Sequence, residues 1–386
     1  MLAEADARPT TTVGHLWLTD FRCFDELEVE LTDGLTVVHG ANGQGKTTLL
    51  EAIGWAARTR SFRGVPDAAL VRSTREQAVI RAEVVTADRR QLFEAEIRVT
   101  GRNRILCNKQ PVTRSRDLHG LLRVTVFAPD DLGLVKDGPA ARRAYLDELL
   151  AMLAARYDAA RSDYERVLKQ RNALLRGGVR DELARTTLDV FDEQLVRAGA
   201  ELVRGRLRLT ARLAGAIASA YHDLAADERV VAAVYEADWS DEPLSDDDAV
   251  DDSVDVATRL RAALEARRRR EIERGMTLVG PHRDEWRLTI GDLDARTQAS
   301  QGEQRTLALA LRLAGHGVVK ELSGTAPVLL LDDVFSELDA ERSAALVRNL
   351  PSGQTLLTTA GSIPREVAPV RRLRLHEGRL DVEQDR

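Results

Sequence analysis

Cysteine is scarce: the 386 residues hold only Cys23 and Cys107, at no paired spacing. That usage excludes a disulfide framework and a thiolate zinc site, and fits reduced thiols in the cytoplasm. Aromatic residues make up 4% of the chain, too few for the stacking platforms on which single-strand binders rely. Excess positive charge is missing as well. A formal net charge of −6 rules out a globally basic coat for nucleic acid but leaves room for local basic faces. The longest apolar runs, such as Ala326 to Leu331, fall far below the ~20 residues needed to span a bilayer, so no membrane segment is expected. Residues 1–12 are polar with no apolar core; they read as a flexible tail, not a signal peptide.

What is present centres on Gly40-Ala41-Asn42-Gly43-Gln44-Gly45-Lys46-Thr47-Thr48. The stretch fits G-x-x-x-x-G-K-[ST]. It follows the apolar Leu35-Thr36-Val37-Val38 and precedes the helix-like Leu49-Leu50-Glu51-Ala52-Ile53. A polyphosphate needs several donors crowded around it, and glycine lets backbone N–H groups approach with no Cβ in the way. The following helix aims about half a positive charge at the same oxygens. Lys46 is expected to reach the β- and γ-phosphates of ATP, and the Thr47 hydroxyl to hold Mg²⁺.

A second element matches this loop from about 280 residues downstream. Val328-Leu329-Leu330-Leu331 is an apolar strand ending in Asp332-Asp333, at the carboxyl end where α/β sheets bind ligands. Asp332 is expected to hold Mg²⁺, and Asp333 to polarise the attacking water as general base. Shortly before it, Ser300-Gln301-Gly302-Glu303 opens a helix, whose free N–H groups and positive dipole end offer another anion-binding surface through Ser300 and Gly302.

Between these motifs the texture changes. Residues 78–113 alternate as antiparallel strands, with a hairpin around Asn108-Lys109. From Pro139, Tyr145, Leu149, Leu153, Tyr157 and Tyr164 recur at helical spacing. Gly177-Gly178 breaks the run, and a second helix is expected from Leu183 to about Leu224. Residues 237–256 hold nine acids and no base and read as a solvated loop or as an acidic flap over a basic surface. Met276-Thr277-Leu278-Val279 reads as a strand. Two basic clusters keep two readings each, a solvated face or a phosphate patch: Arg58, Arg60 and Arg63, and the run from Arg259 to Arg274. The expected division is a head from 13–138 and 275–386, and a helical arm from 139–274.

Four motifs in this order, the phosphate loop, Ser300–Glu303, Asp332-Asp333 and Ser336-Glu337-Leu338-Asp339, resemble the ABC-type ATPases. The resemblance implies an α/β head with an antiparallel β layer and an inserted helical arm. It also implies a head-to-tail dimer in which Ser300 of one copy completes the γ-phosphate site of the other. The long interval between the phosphate loop and Ser300 is similar to SMC-type heads and disfavours an importer ATPase subunit; a nuclease-associated ATPase related to those heads would need an additional acidic metal cluster. Phe21-Arg22, Arg60-Ser61-Phe62-Arg63, Phe127–Leu132, Arg142–Asp147, Gly280-Pro281-His282-Arg283-Asp284 and Ser300–Arg305 narrow the resemblance to the RecF family of bacterial recombination mediators. That likeness implies Arg22 at the nucleotide and an ATP-dependent homodimer on duplex DNA and single-strand/double-strand junctions. It further implies RecR as partner, with RecO and RecA in the same pathway. Asp333 where many relatives of the ABC type have Glu, and Thr359 in place of a switch histidine, imply slow hydrolysis.

Overall fold

The structure, a computed structural model, describes residues 10–86, 89–113, 118, 120–225, 229–244, 256–336, 338–361 and 367–383. Residues 1–9 of the expected tail, 245–255 of the acidic segment and Glu337 lie outside them. The chain divides into two compact units: 1–131, 220–226 and 308–386; and 132–219 with 227–307. Residues 132–138 and 275–307, expected in the head, group with the helical unit, and 220–226, expected in the arm, group with the first.

The first unit is built on two six-stranded sheets. One is antiparallel, ordered β2-β1-β4-β5-β6-β7, from β1 (Thr12–Phe21), β2 (Phe24–Glu30), β4 (Gln77–Thr86), β5 (Arg89–Arg98), β6 (Arg104–Cys107) and β7 (Gln110–Pro111). Buried and accessible positions alternate along β4, the pattern of a sheet with one face on the core. The other sheet runs β15-β14-β3-β13-β12-β8. Its members are β3 (Leu35–His39), β8 (Val124–Phe127), β12 (Val328–Asp332), β13 (Thr355–Thr359), β14 (Arg371–His376) and β15 (Arg379–Glu383). All are parallel except β15.

Helix α1 (Lys46–Arg58) buries ten of its thirteen residues, so it cannot be a surface helix with one wet face. It contacts β12, β13 and β8 of one sheet and β4 of the other. A single apolar cluster accordingly joins Leu49, Ile53 and Trp55 to Val38 and Leu330 on one side, and to Leu16, Ile80 and Phe93 on the other. Strand order then brings distant segments together. Because β13 lies between β3 and β12, with Thr358 level with both Val38 and Asp332, the carboxyl ends of three strands converge beside the start of α1.

The second unit holds α2 (Gly133–Lys136), α3 (Pro139–Leu153), α4 (Ala155–Gly177), α5 (Glu182–Ala225) and α6 (Val256–Arg274). Helix α5 has 44 residues, a length of about 66 Å at 1.5 Å per residue; its Ala220–Ala225 end counts with the first unit. A three-stranded sheet orders β9 (Val231–Glu236) and β11 (Leu293–Asp294) about β10 (Glu285–Ile290). One strand is added within the expected helical arm, and one expected strand is lost. β9, beside the acidic segment, is a strand paired along its length with β10. Residues 276–279 form no strand, because side chains have taken their N–H groups: Thr277 N donates to Asn172 Oδ1 and Leu278 N to Glu271 Oε1.

Within the apolar core of this unit lie buried arginines closed by acids. Arg206 donates to both oxygens of Asp147, each at 2.8 Å, and to Pro281 O. Arg171, fully buried, reaches Asp192, Glu271 and Thr277 Oγ1. Asp284 accepts from Trp239 Nε1 at 2.7 Å and from the Tyr235 hydroxyl. Burial pushes its carboxyl up to about 6 against the pull of Arg206. His282 Nδ1 meets Tyr164 Oη at 2.7 Å, and burial lowers its imidazole to about 4. The segment Gly280–Asp284 is therefore the hub of a closed hydrogen-bond network. On the accessible face of α6, Arg261 pairs with Glu193, Arg268 with Asp189 and Asp192, and Arg269 with Glu273.

Candidate nucleotide site

The phosphate loop leaves β3 at His39 and is pinned at once, Gly40 N donating to Thr359 O of β13 at 3.4 Å. A Cβ on Gly40 would lie 2.3 Å from the Leu375 carbonyl oxygen, so any other residue would push the loop off the sheet. Gly45 caps α1 with φ 106°, a conformation costly for L side chains. The first helical turn, Lys46 to Thr48, thus begins at the cleft with its N–H groups unused by the helix.

Lys46 is almost wholly covered. Its Nζ donates to Gly40 O at 2.8 Å and Ala41 O at 3.0 Å, with Asn42 Oδ1 at 3.5 Å. Burial lowers its ammonium below the usual lysine value, opposed by the charges of Asp333 and Asp332. Three neutral oxygens hold the cation over the loop, where an anion would supply the charge that they lack. Gln44 accepts from Glu377 N at the turn of the β14–β15 hairpin, fixing the outer edge of the loop.

Across the cleft, Thr47 Oγ1 donates to Asp332 Oδ1 at 2.9 Å. This one bond joins the two motifs separated by 285 positions. Thr358 Oγ1, fully buried on β13, donates to the same oxygen at 2.8 Å and accepts from Asp333 N at 3.0 Å. Burial raises the Asp332 carboxyl above its usual value, while the two threonine hydroxyls pull it down. Asp333 takes φ 48°, a left-handed backbone that costs a non-glycine residue about 1 kcal/mol or more. It is held there by Thr358 and by Ala360 N, which donates to its carboxylate at 3.3 Å. Thr358 is the residue that sequence reasoning passed over; the signal was a hydroxyl side chain at the carboxyl end of a wholly buried strand.

Arg22, Arg63, Lys46, Thr47, Asp332 and Asp333 line one cleft of about 370 Å³. A hydroxyl beside a carboxylate is a donor set suited to Mg²⁺, and a loop of free N–H groups with three cations suits a polyphosphate. Of the basic cluster, the structure keeps only Arg63 at this cleft. Arg58 turns inward and donates to Val124 O at 3.0 Å, while Arg60 is exposed. Ser300 and Gly302 belong to the second unit, at the start of α7 (Gln301–Ser323). Glu303 N donates to Ser300 Oγ at 3.3 Å, and Ser300 N to Glu303 Oε2 at 2.6 Å, a reciprocal cap that fixes the helix start. The Arg229 side chain, bonded to Glu303, and then the Ser300 N–H hold the Glu303 carboxyl below its usual range.

Sequence comparison agrees with this geometry. The family described as RecF/RecN/SMC N terminal domain matches residues 12–359. The chain is 45% identical over 356 residues to the DNA replication and repair protein RecF of Streptomyces avermitilis, covering 90% of this chain and 93% of that one. The chain belongs to the RecF family. Among solved structures, the recombination mediator protein RecF-ATP in the RecFOR pathway superposes with a TM-score of 0.89 at 27% identity, covering 99% of this chain and all of that one. An Smc head domain from Pyrococcus furiosus, with an extended coiled coil and bound to the C-terminal domain of ScpA, gives a TM-score of 0.56 at 14% identity over 97% of this chain and 96% of that one; it shares the fold. The expected α/β head of ABC and SMC type, with its antiparallel β layer and helical insertion, is the fold of this chain. No helix among the described residues is long and apolar enough to cross a membrane.

Proposed function

We propose that this RecF-family chain is an ATP-switched DNA-repair protein of the cytoplasm. In this reading it hydrolyses ATP slowly, and its ATP-bound homodimer grips duplex DNA near single-strand gaps. With RecR it promotes loading of RecA, in a pathway shared with RecO. The observation that carries the nucleotide part is the Thr47–Asp332 hydrogen bond, which sets a hydroxyl and a carboxylate together beside the caged Lys46. The solved relative named with ATP supports the same reading.

Bound Mg²⁺ would neutralise phosphate charge and orient the terminal phosphate. The chain's own residues do the rest. Gly40 to Thr48 offer N–H groups to the phosphates, and Lys46 exchanges its loop carbonyls for phosphate oxygens. Thr47 and Asp332 hold the metal. Asp333, fixed by Thr358 and Ala360, takes a proton from the attacking water. Ser300 and Gly302 of a second copy supply N–H groups to the γ-phosphate, so that triphosphate and dimer stabilise one another.

Sedimentation of the full chain with and without ATP tests this reading. ATP is expected to convert monomer to dimer, Lys46→Met to abolish the shift, and Ser300→Arg to block the dimer while leaving ATP bound. A Ser300→Arg chain that still dimerises with ATP would sink the shared-site reading. DNA binding is expected to be insensitive to sequence and to weaken steeply between low and moderate salt, as phosphate contacts do. Affinity indifferent to salt would remove the DNA part.

A further inference from the structure

We propose that Glu51 is a positioning residue that sets Arg22 and Arg63, the two arginines flanking the nucleotide cleft, for the terminal phosphates. The inference rests on the nucleotide reading above and concerns how that site tells a triphosphate from a diphosphate.

Glu51 sits on α1 one turn beyond Thr47, and none of it is exposed. A buried carboxylate must be paired and hydrogen-bonded, and its partners come from two separate segments. From the turn between β1 and β2, Arg22 Nη2 donates to Glu51 Oε1 at 2.9 Å, and Arg22 Nε lies 2.6 Å from Oε2. From the loop after α1, the Ser61 hydroxyl donates to Oε1. Ser61 Oγ in turn accepts from Arg63 N at 3.1 Å, so the backbone that carries Arg63 is fixed through Ser61 to the same carboxylate.

Both segments are otherwise fixed at the backbone that carries these arginines. Arg22 has φ 49°; its N–H donates to Leu70 O at 2.8 Å, while Arg72 N reaches Asp20 O at 2.8 Å. The loop after α1 lies against the helix at Gly54, where a Cβ would come within 2.8 Å of the Phe62 ring. Glu51 therefore acts from behind the cleft. It touches no part of the space where phosphate would lie, yet it fixes the origin of two cations that line it. Arg63 lines the same cleft as Thr47, Asp332 and Asp333, the residues that would hold the metal and the attacking water. Arg22, whose guanidinium is held by this carboxylate, arrives already oriented, and little of its rotamer entropy is lost when phosphate binds, while Arg63 is fixed at its backbone.

The test is a double-mutant cycle in the full chain: wild type, Glu51→Gln, Arg22→Gln and the double variant, with Ser61→Ala beside them. Affinities for Mg·ATP and Mg·ADP are measured by titration calorimetry, with a thermal melt of each variant. Glu51→Gln is expected to weaken ATP about tenfold and ADP less than about threefold. In the Arg22→Gln background the same change is expected to cost less than about threefold, since its main route is already gone. Ser61→Ala is expected to weaken ATP about threefold with ADP unchanged.

A folded Glu51→Gln chain with wild-type ATP affinity, or equal losses in both backgrounds, overturns the inference. If Glu51→Gln fails to fold, Ser61→Ala decides: unchanged ATP affinity overturns the link to Arg63. A wild-type chain that binds no ATP sinks the nucleotide reading itself, a distinct outcome.

Discussion

In the second unit, Arg171 and Arg206 are enclosed and each is answered by a carboxylate. In the first unit, Lys46 is held by neutral oxygens and Arg63 lines an open cleft beside Asp332. The buried arginines have their charge matched by carboxylates, whereas the Lys46 ammonium is bonded to neutral oxygens. Burial with closed pairing fixes one geometry and discourages a ligand; burial with incomplete pairing invites an anion. The comparison also changes what the motifs mean. Gly280-Pro281-His282-Arg283-Asp284 looks as chemical as the phosphate loop when read as sequence, yet Asp284 and His282 are occupied with Tyr235, Trp239 and Tyr164.

The contrast can be broken first at Arg206. Arg206→Met would leave Asp147 buried without its partner, and the expected loss is about 4 kcal/mol of stability, read by denaturant unfolding. A change below about 1 kcal/mol would show that the closed network is not a structural requirement.

The next largest effect concerns acid. His316 is buried on α7 with both ring nitrogens lacking a partner among the described residues, and burial lowers it to about 4. The unfolded chain takes up this proton below about pH 6.5 and the folded chain only near 4. Stability is therefore whole above pH 6.5 and lost as pH falls through that window. His316→Leu should spare up to about 3 kcal/mol of that loss, measured as unfolding free energy at pH 7 and pH 4.

At the open site, Lys46→Met should weaken ATP binding at least about a hundredfold while leaving the melting temperature near wild type. That is the reverse of what Arg206→Met should do. The smallest effect is at Thr358. Thr358→Val removes the hydroxyl shared by Asp332 and Asp333 while keeping the β-branched shape; turnover should fall about tenfold with ATP affinity changed less than about threefold. Thr358→Ser should restore it. Equal loss in both variants would assign Thr358 to packing alone.

The legible parts were those whose signal is local. The phosphate loop, the strand before Asp332 and the helix that became Glu182–Ala225 each announce themselves within a few turns of chain, through glycine placement or apolar period. The hairpin at Asn108-Lys109 was legible too, since both residues take positive φ. What escaped depended on a partner far along the chain. Residues 276–279 looked like a strand until Asn172 and Glu271 claimed their N–H groups. Val231–Glu236 pairs with a strand some fifty residues later. Arg58 read as a surface cation, and its direction was decided by a carbonyl 66 positions away.

From the residues alone came the family resemblance, the α/β class, and which side chains carry phosphate chemistry, because those rest on short-range backbone geometry and on residue type. Tertiary structure decided which of them meet. Inserting β13 between β3 and β12 brings Thr47 to Asp332 and puts the Thr358 hydroxyl between the Asp332 carboxylate and the Asp333 N–H, while burying Glu51 makes it choose partners from two other segments. No local pattern specifies such pairings, since the free energy that selects them comes from desolvating groups that only the folded sheet brings together.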